Sequence, residues 1–346
     1  MVFILLILVI WCRYSPMAAD WYAVHLYPGI SRVLSWIASP VGISLTELAV
    51  IVLVIAFIVR VYWIFHDRVR WKYRLWRAVR LLLWVYVWFY AAWGVNYYRS
   101  NLFARMGATP MPYEEAEFKA FLHVLTEELN ENWCPETVLQ SVDATVYEQY
   151  VKDWYAKVPE EAGLCTPRKW QHPKRSFLNR FYSAVGVLGY LGPAFDEMHV
   201  NREITPLEHP FVHAHEYAHV LGVSREAEAN FWAFEATRAS DSQAVRYSGW
   251  YMLLHYSWNT IHSLLGEEEF TQWRDTLRPE ILEDMISTQQ YWLDRRIPWI
   301  SNIQKRVYDA FLRGNHIAEG TKNYNQVLRL VFTFSDLHAH ADGEEG

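Results

Sequence analysis

Cysteine is scarce in this chain of 346 residues, and the three cysteines, Cys12, Cys134 and Cys165, are far apart in the sequence. No C-x-x-C pair is present, which excludes the usual cysteine zinc sites. An excess of basic residues is also lacking, since the net charge is −6, and this argues against a nucleic-acid partner. Repeats and low-complexity linkers are absent as well. With 346 residues, the chain is long enough for a membrane region and one sizeable soluble domain.

Long apolar runs, by contrast, occupy much of the first hundred residues. The runs are residues 1–12, Leu48–Val59 with its continuation, and Leu81–Val95. Because a bilayer span takes about 20 residues, we predict about three transmembrane helices within residues 1–99, the first of them short. Residues 20–40 mix aromatic residues with proline and glycine and are predicted to lie at the membrane interface. The 18 tryptophans and 22 tyrosines suit aromatic belts at such interfaces.

A basic segment separates the second and third apolar runs. Its basic residues are Arg60, Arg68, Arg70, Lys72, Arg74, Arg77 and Arg80. Such a segment could bind nucleic acid or phospholipid, but between two spans it is typical of a cytoplasmic loop. The third span then runs outward, so the chain after Tyr98 is predicted to be extracytoplasmic. These features predict a multi-pass protein of the cell membrane.

The stretch that carries chemistry is an H-E-x-x-H pattern formed by His215, Glu216 and His219. Two histidines four residues apart lie on the same face of a helix, where both imidazoles can bind one Zn²⁺. The carboxylate of Glu216 then lies beside the metal. There it can take a proton from an activated water molecule and pass it to a leaving amine. The pattern predicts a zinc site with Glu216 as the general base.

The flanking residues favour two helices joined by a tight turn. Pro210 suits the first turn of the site helix, and Gly222 suits its C-terminal cap. Ser224 is predicted to cap a second helix that begins at Arg225. This arrangement brings new side chains close to the two histidines immediately after the turn.

The second helix is predicted to supply the third ligand. Glu226 and Asn230 are four residues apart and share a face, whereas Glu228 points to roughly the opposite side. In zinc sites, a residue outside the ligand set commonly orients a ligating histidine. We predict Glu226 as the third metal ligand and Asn230 as the orienting residue, with Glu228 as the alternative ligand.

Three further residues near the pattern carry weaker signals. His213 faces away from His215, and a fourth protein ligand would close the site, so His213 is predicted to be structural. Tyr247 and His255 are candidates for the group that stabilises a tetrahedral oxyanion. Of these two, Tyr247 is the residue that we predict to be catalytic.

The rest of the chain is predicted to be mainly helical, with a small sheet. Ala194–Val200 is a predicted strand that either supports the site helix or pairs with extended substrate backbone. Helices are predicted over Glu114–Asn130, Glu280–Asn315 and Tyr324–Phe334. Residues 100–336 thus form an extracytoplasmic α+β domain, and residues 337–346 are predicted to be a disordered polar tail.

These segments together resemble known families. The sequence HEYAH followed by EAEAN is similar to the gluzincin zinc peptidases, in which a glutamate completes the metal site. The whole chain resembles the bacterial membrane family DUF3810. The segments that carry this resemblance are Trp93–Arg99, Glu197–Asn201, His215–Asn230 and Arg246–Gly249. The resemblance implies a zincin-like domain behind a membrane region, and it implies no particular substrate.

The sequence therefore predicts a membrane-anchored zinc metallopeptidase that hydrolyses a peptide or related amide bond outside the cytoplasm. Its predicted cofactor is Zn²⁺, and its predicted partners are a peptide or protein substrate and the lipid bilayer. The alternative is a non-catalytic membrane sensor or receptor whose zinc site is structural or degenerate. A free carboxylate beside an open metal position favours the enzyme, because a structural site needs neither.

The extracytoplasmic location bears on Cys134 and Cys165, the two cysteines after the third apolar run. In an oxidising compartment they could pair, closing a loop of about 30 residues. Two unrelated buried thiols are the other interpretation, since free cysteine is common in protein cores.

Overall fold

The computed structural model describes residues 2–66, 70–315, 326–335 and 337. Over these residues the chain is mainly helical and contains one two-stranded antiparallel sheet, which confirms the predicted balance of helix and strand. Tyr324 and residues 338–346 of the predicted tail lie outside the described residues.

Before the sheet, two long apolar helices stand among shorter ones. These helices are α1 (Val2–Tyr14), α2 (Pro16–Trp21), α3 (Tyr27–Ala38), α4 (Leu45–His66), α5 (Trp71–Ala92), α6 (Leu102–Arg105), α7 (Glu115–Asn132), α8 (Glu136–Leu139), α9 (Ala144–Tyr155) and α10 (Asn179–Val185). A π-helical turn (Tyr22–Leu26) joins α2 to α3, and two 3-10 turns (Gly94–Tyr98 and Glu160–Ala162) follow α5 and α9.

The sheet and the remaining helices complete the chain. They are β1 (Gly189–Gly192), β2 (Glu197–Val200), α11 (His209–Val220), α12 (Glu226–Arg238), α13 (Gln243–Arg274, kinked at Gly266), α14 (Pro279–Arg295), α15 (Pro298–Gly314) and α16 (Val327–Phe334). The helices predicted over Glu114–Asn130 and within Glu280–Asn315 are confirmed as α7 and as α14 with α15.

Two helices, α4 and α5, are long and apolar enough to cross a membrane, which is compatible with a membrane protein. The first predicted span is represented by α1, which is 13 residues long. Together with Pro16–Ala38 it forms a pair bent by 114°, so up to three spans are possible by length and composition.

The prediction of a basic loop was wrong for most of its length. The helix α5 begins at Trp71, so Lys72, Arg74, Arg77 and Arg80 lie in its first three turns. Arginine and lysine are good helix formers, and neither proline nor glycine interrupts this stretch, so the helix extends through it. Arg68 lies outside the described residues.

The segment predicted to be interfacial packs against the body of the protein. The Tyr27 hydroxyl donates to the backbone oxygen of Val220 at 2.9 Å and to the carboxylate of Asp196 at 3.1 Å. Ser31 donates to the same carboxylate at 2.5 Å. Both Tyr27 and Ser31 are fully buried. Helix α3 therefore supports the C-terminal end of the site helix α11.

The two strands form a hairpin with Gly189 opposite Val200 and Gly192 opposite Glu197. The predicted strand at Ala194–Val200 is confirmed in type but begins only at Glu197, because the residues before it form the hairpin turn. One face of the hairpin packs on α11, and its other face meets the start of α4.

Polar contacts join this hairpin to α4. The Glu197 carboxylate accepts hydrogen bonds from the backbone N–H groups of Leu45 at 3.1 Å and Thr46 at 2.8 Å. A carboxylate at a helix N-terminus satisfies free N–H groups and is stabilised by the helix dipole. Strand β2 thereby fixes the start of an apolar helix to the sheet that lies over the site helix.

Helices α11, α12 and α13 pack together at the centre of the described core. Phe231, Trp232, Phe234, Trp250, Leu253 and Leu254 are all buried. These large side chains belong to the main hydrophobic core of the described residues.

The possible disulfide is not formed. Cys134 and Cys165 are both free and buried, with Asp284 acting on the first and Asp196 on the second. Burial and the charge of Asp284 raise the pKa of Cys134 to about 11. Burial and the charge of Asp196 raise the pKa of Cys165 to about 12. The interpretation as two unrelated core thiols is the correct one.

Candidate metal centre

The two motif histidines lie one turn apart on α11. Pro210 occupies the first turn of this helix, where its missing N–H costs no hydrogen bond. The Nε2 atoms of His215 and His219 are 3.1 Å apart, and both side chains are buried. The predicted helix and its four-residue spacing thus bring two imidazoles to one point.

A sharp reversal between α11 and α12 then brings in a carboxylate. Gly222 has a φ of +95°, a conformation that glycine adopts without the strain that a Cβ atom would cause. Only five residues separate Val220 from Glu226, the first residue of α12. The predicted role of Gly222 at the end of the site helix is confirmed.

The predicted cap at Ser224 was wrong. Arg225 is the N-cap residue of α12 and makes no side-chain capping bond. The Ser224 hydroxyl instead donates to the backbone oxygen of Asn96 at 2.8 Å. A serine can bond a distant backbone group as readily as a local one, and the nearby 3-10 turn offered that group.

The three predicted ligands converge. Glu226 Oε2 is 3.3 Å from His215 Nε2 and 3.7 Å from His219 Nε2. In a tetrahedral zinc site the metal–ligand distances of about 2.0–2.2 Å place the ligand atoms about 3.3 Å apart. The separations here match that geometry without rearrangement. His215, His219 and Glu226 could therefore hold a metal ion.

The alternative ligand, Glu228, has a different partner. Its carboxylate forms an ion pair with the guanidinium of Arg105, and both side chains are buried. Trp232 Nε1 also lies 3.5 Å from the same carboxylate oxygen. Because residues two positions apart on a helix point to roughly opposite sides, Glu228 faces away from the cluster and only Glu226 reaches it.

Two contacts bear on how the imidazoles are oriented. His219 Nδ1 is 2.6 Å from the backbone oxygen of Val223, so it donates there and leaves Nε2 directed at the cluster. Asn230 is fully buried and interacts with His215; burial lowers the pKa of His215, and the contacts with Glu226 and Asn230 oppose that shift without reversing it. The amide of Asn230 and Nδ1 of His215 have no hydrogen-bond partner of normal geometry in the described chain.

The cluster is strongly coupled electrostatically. Burial alone raises the pKa of Glu226, but bonds and charges from His215 and His219 outweigh it and lower that pKa well below its usual value. Burial lowers the pKa of His219, yet Glu226 and Glu216 outweigh burial and raise it to about 9. A metal cation would replace the proton in this role, since ligating histidines must be neutral.

Glu216 lies beside the cluster and is buried. Burial and the charge of Glu226 raise its pKa to about 8, against the opposing charge of His219. A Cβ atom on Gly189 would lie 2.5 Å from Glu216 Oε1, so strand β1 passes directly over this carboxylate. The other oxygen, Oε2, has no hydrogen-bond partner among the described residues.

The other motif-associated residues lie apart from the cluster. Tyr247 is buried, and its hydroxyl donates to Asp284 at 2.5 Å, so the predicted catalytic tyrosine is engaged by a carboxylate of α14. His255 is exposed and its ring lies 5.5 Å from that of Tyr256. His213 is buried against Tyr147, and burial lowers its pKa to about 3.

Two tyrosines that the sequence did not single out are coupled to the site, one by a hydrogen bond and one by charge. The Tyr308 hydroxyl, on α15, donates to Glu226 Oε1 at 2.6 Å. Burial raises the pKa of Tyr256, and the charges of Glu226, Glu208 and Glu216 raise it further. Tyr308 lies 82 residues after Glu226, and no local pattern marks such a contact.

A model of a family described as "Protein of unknown function (DUF3810)" matches residues 22–332. The chain belongs to the DUF3810 family. No curated protein and no solved structure is significantly similar to it. The match begins in the π-helical turn before α3 and ends in α16, so family membership covers α4, α5, the sheet and the His–His–Glu cluster. None of these comparisons shows a relationship to the gluzincins, a resemblance that rests on the sequence motif.

The two glutamates of α12 can be compared directly by isosteric substitution. We expect Glu226→Gln to lower zinc affinity by at least about 100-fold, the upper range for loss of a residue that only orients a ligand. Glu228→Gln should retain zinc, because its partner is Arg105 rather than the histidines. Metal content after dialysis against a zinc buffer measures both. A Glu228→Gln protein without zinc beside a zinc-loaded Glu226→Gln protein would contradict this ligand assignment.

The turn at Gly222 provides a second prediction. An alanine there must adopt the left-handed conformation, which costs about 1–2 kcal/mol, and its Cβ atom would lie 3.0 Å from the ring of Tyr27. Gly222→Ala should therefore lower the midpoint of thermal unfolding of the detergent-solubilised protein, followed by circular dichroism. Gly29→Ala is the control, since no atom lies within 4 Å of its added methyl group. Equal midpoints for the two variants would disprove the strain at Gly222.

Proposed function

We propose that this protein is a membrane-anchored zinc metallopeptidase that hydrolyses a peptide or related amide bond. The observation that supports this proposal best is the convergence of His215, His219 and Glu226 at zinc-like separations, with the Glu216 carboxylate beside them. A structural zinc site has no use for a buried, partly unbonded carboxylate next to its ligands. The gluzincin-like class of the peptidase is part of the same proposal.

Each residue of the cluster has a distinct task in this proposal. A Zn²⁺ held by the three ligands would polarise the scissile carbonyl and increase the acidity of a water molecule. Glu216 accepts the proton at its carboxylate and returns it to the leaving amine. Burial of Glu216 under β1 holds the carboxylate in position and limits competition from bulk water. The Val223 carbonyl fixes the His219 ring.

The strand that pairs with substrate is β1 in this proposal, rather than the predicted strand at Ala194–Val200. The outer edge of β2 is covered, because Lys174 N–H donates to the Met198 oxygen at 2.8 Å. The backbone groups of Leu188, just before β1, and of Tyr190 on β1 face β2, so the backbone groups of Gly189 and Leu191 point away from β2. No strand of the described residues pairs with this edge of β1, and an extended peptide added there would lie beside Glu216.

In this proposal a tyrosine near the cluster, rather than Tyr247, stabilises the oxyanion. The hydroxyl of Tyr308 already reaches Glu226, and it could turn to a developing oxyanion when a metal ion neutralises that carboxylate. Tyr256 lies within the field of Glu216 and Glu226 and is the second candidate.

We further propose that the metal centre is extracytoplasmic. The basic residues of α5 lie in its first turns, whereas the body of the protein contacts its last turn through Phe89 and Tyr90. Basic residues accumulate on the cytoplasmic side of membrane proteins. The end of α5 that carries the metal centre is then the outer one.

Loss of the proposed general base tests the mechanism. Glu216→Gln should keep zinc but reduce hydrolysis of a fluorescence-quenched peptide library by about 10²–10⁴-fold, the usual contribution of general-base catalysis. Glu235→Gln, the same change on α12 where the side chain bonds Arg238, is the control. Wild-type activity in Glu216→Gln would disprove the mechanism. A zinc-loaded wild type that cleaves none of the library would favour the sensor.

Reporter fusions test the location. A reporter enzyme that folds only outside the cytoplasm should be active when fused after Gly346 and inactive when fused near Arg70. The reverse pattern of activity would overturn the extracytoplasmic assignment while leaving the metal-binding proposal intact.

A further inference from the structure

Helix α15 has an inner face that reaches both the metal centre and the apolar helices. Tyr308 bonds Glu226, and the ring of Phe311 lies 5.4 Å from Tyr97 and 5.8 Å from Phe89 of α5. Leu312 on the same side is fully buried. This face holds α15 against the body of the protein.

The outer face of α15 is apolar and exposed. Trp299, Ile303 and Val307 are spaced four residues apart, so they form one stripe along the helix. Their exposed fractions are 66%, 55% and 65%. Three large, exposed apolar side chains in a row mark an interaction surface. Within the described chain, nothing covers this stripe.

The position of α15 identifies what covers it. At its C-terminal end, the Gly314 oxygen accepts a hydrogen bond from Arg13, in the last turn of α1, at 3.0 Å. The next residue, Asn315, accepts one from Tyr90 of α5 at 2.6 Å. Both neighbouring helices also expose apolar side chains, among them Trp11 and Trp88. Helix α15 therefore ends against two N-terminal apolar helices, near the end of α5, where a membrane interface would lie.

The charges on α15 fit the same occupant. Arg306 and Arg313 lie along one edge of the stripe, and the single acid of the helix, Asp309, pairs with Arg313. An amphipathic helix with an apolar face, basic flanks and a tryptophan is typical of helices that lie in the plane of a membrane interface. Basic side chains there meet lipid phosphates, and the indole ring suits the headgroup region.

We propose that α15 is an interfacial membrane helix whose Trp299, Ile303 and Val307 insert at the boundary between lipid headgroups and acyl chains. The helix rests on the membrane with this face and touches the metal centre with Tyr308 on the opposite face. The metal centre then lies about one helix diameter, roughly 10 Å, from the lipid surface. This proposal depends on α4 and α5 being spans, and not on the activity of the centre.

The test uses an environment-sensitive fluorophore, NBD, attached to single cysteines of the full chain in vesicles of phosphatidylcholine and phosphatidylglycerol. Ile303→Cys reports on the stripe. Val146→Cys, 70% exposed on α9, is the matched control for an apolar surface residue, and Val54→Cys on α4 is the control for a span. Cys12→Ser removes one native thiol, and the other two native thiols are buried.

With spin-labelled lipids as quenchers, we expect the label at position 303 to be quenched at least about two-fold more than the label at 146, and to emit at shorter wavelength, as for residues at an interface. Equal behaviour of positions 303 and 146, with 54 quenched, overturns the proposal. The proposal is also overturned if the label at 303 is shielded from water only at a high protein-to-lipid ratio, since a second copy of the protein then covers the stripe. Absence of quenching at 54 removes the spans and the proposal with them. If Ile303→Cys does not fold, Val307→Cys replaces it.

Discussion

The candidate metal centre depends on one reversal of the chain, between α11 and α12. Two histidines on a helix can be brought together locally, but the third ligand must return to them within a few residues. Gly222 makes this possible, and the surrounding structure holds the turn in place. Tyr27 packs on Gly222 and donates a hydrogen bond to the backbone oxygen of Val220. Trp93 donates to the backbone oxygen of His219, and the backbone oxygen of Asn96 accepts a hydrogen bond from Ser224. Residues from the apolar N-terminal third thus brace the centre directly.

The small sheet serves two helices at once. Its inner face covers Glu216 of the site helix, and its outer face anchors the first turn of α4 through Glu197. A further acid at this junction, Glu47, accepts hydrogen bonds from Ser176 and from the N–H of Phe177. Buried carboxylates are tolerated only when such donors surround them. The orientation of α4 and the position of the Glu216 carboxylate are consequently set by the same four-residue strands.

The local arrangement of the metal centre could be predicted from the sequence alone. The spacing of His215 and His219 is a property of any α-helix, and the four-residue interval from Glu226 to Asn230 indicated which carboxylate faces them. Helix periodicity also predicted α7, α14 and α15, and the apolar composition of α4 and α5 predicted helices long enough to span a membrane. These features depend on neighbours within a few turns, so they can be read without the fold.

Tertiary structure decided the contacts between distant segments. Tyr247 was expected at the centre, but α14 supplies Asp284 to its hydroxyl, while Tyr308 comes to Glu226 from 82 residues away. Residues 20–40 have the composition of an interfacial segment, yet they pack on the end of α11 because Asp196 offers a buried acceptor there. Cys134 and Cys165 remain free thiols because packing buries them near different charged groups, Asp284 and Asp196 respectively. Composition and spacing determined which helices form and which side chains share a face, and only the packing of those helices determined which polar group each side chain meets.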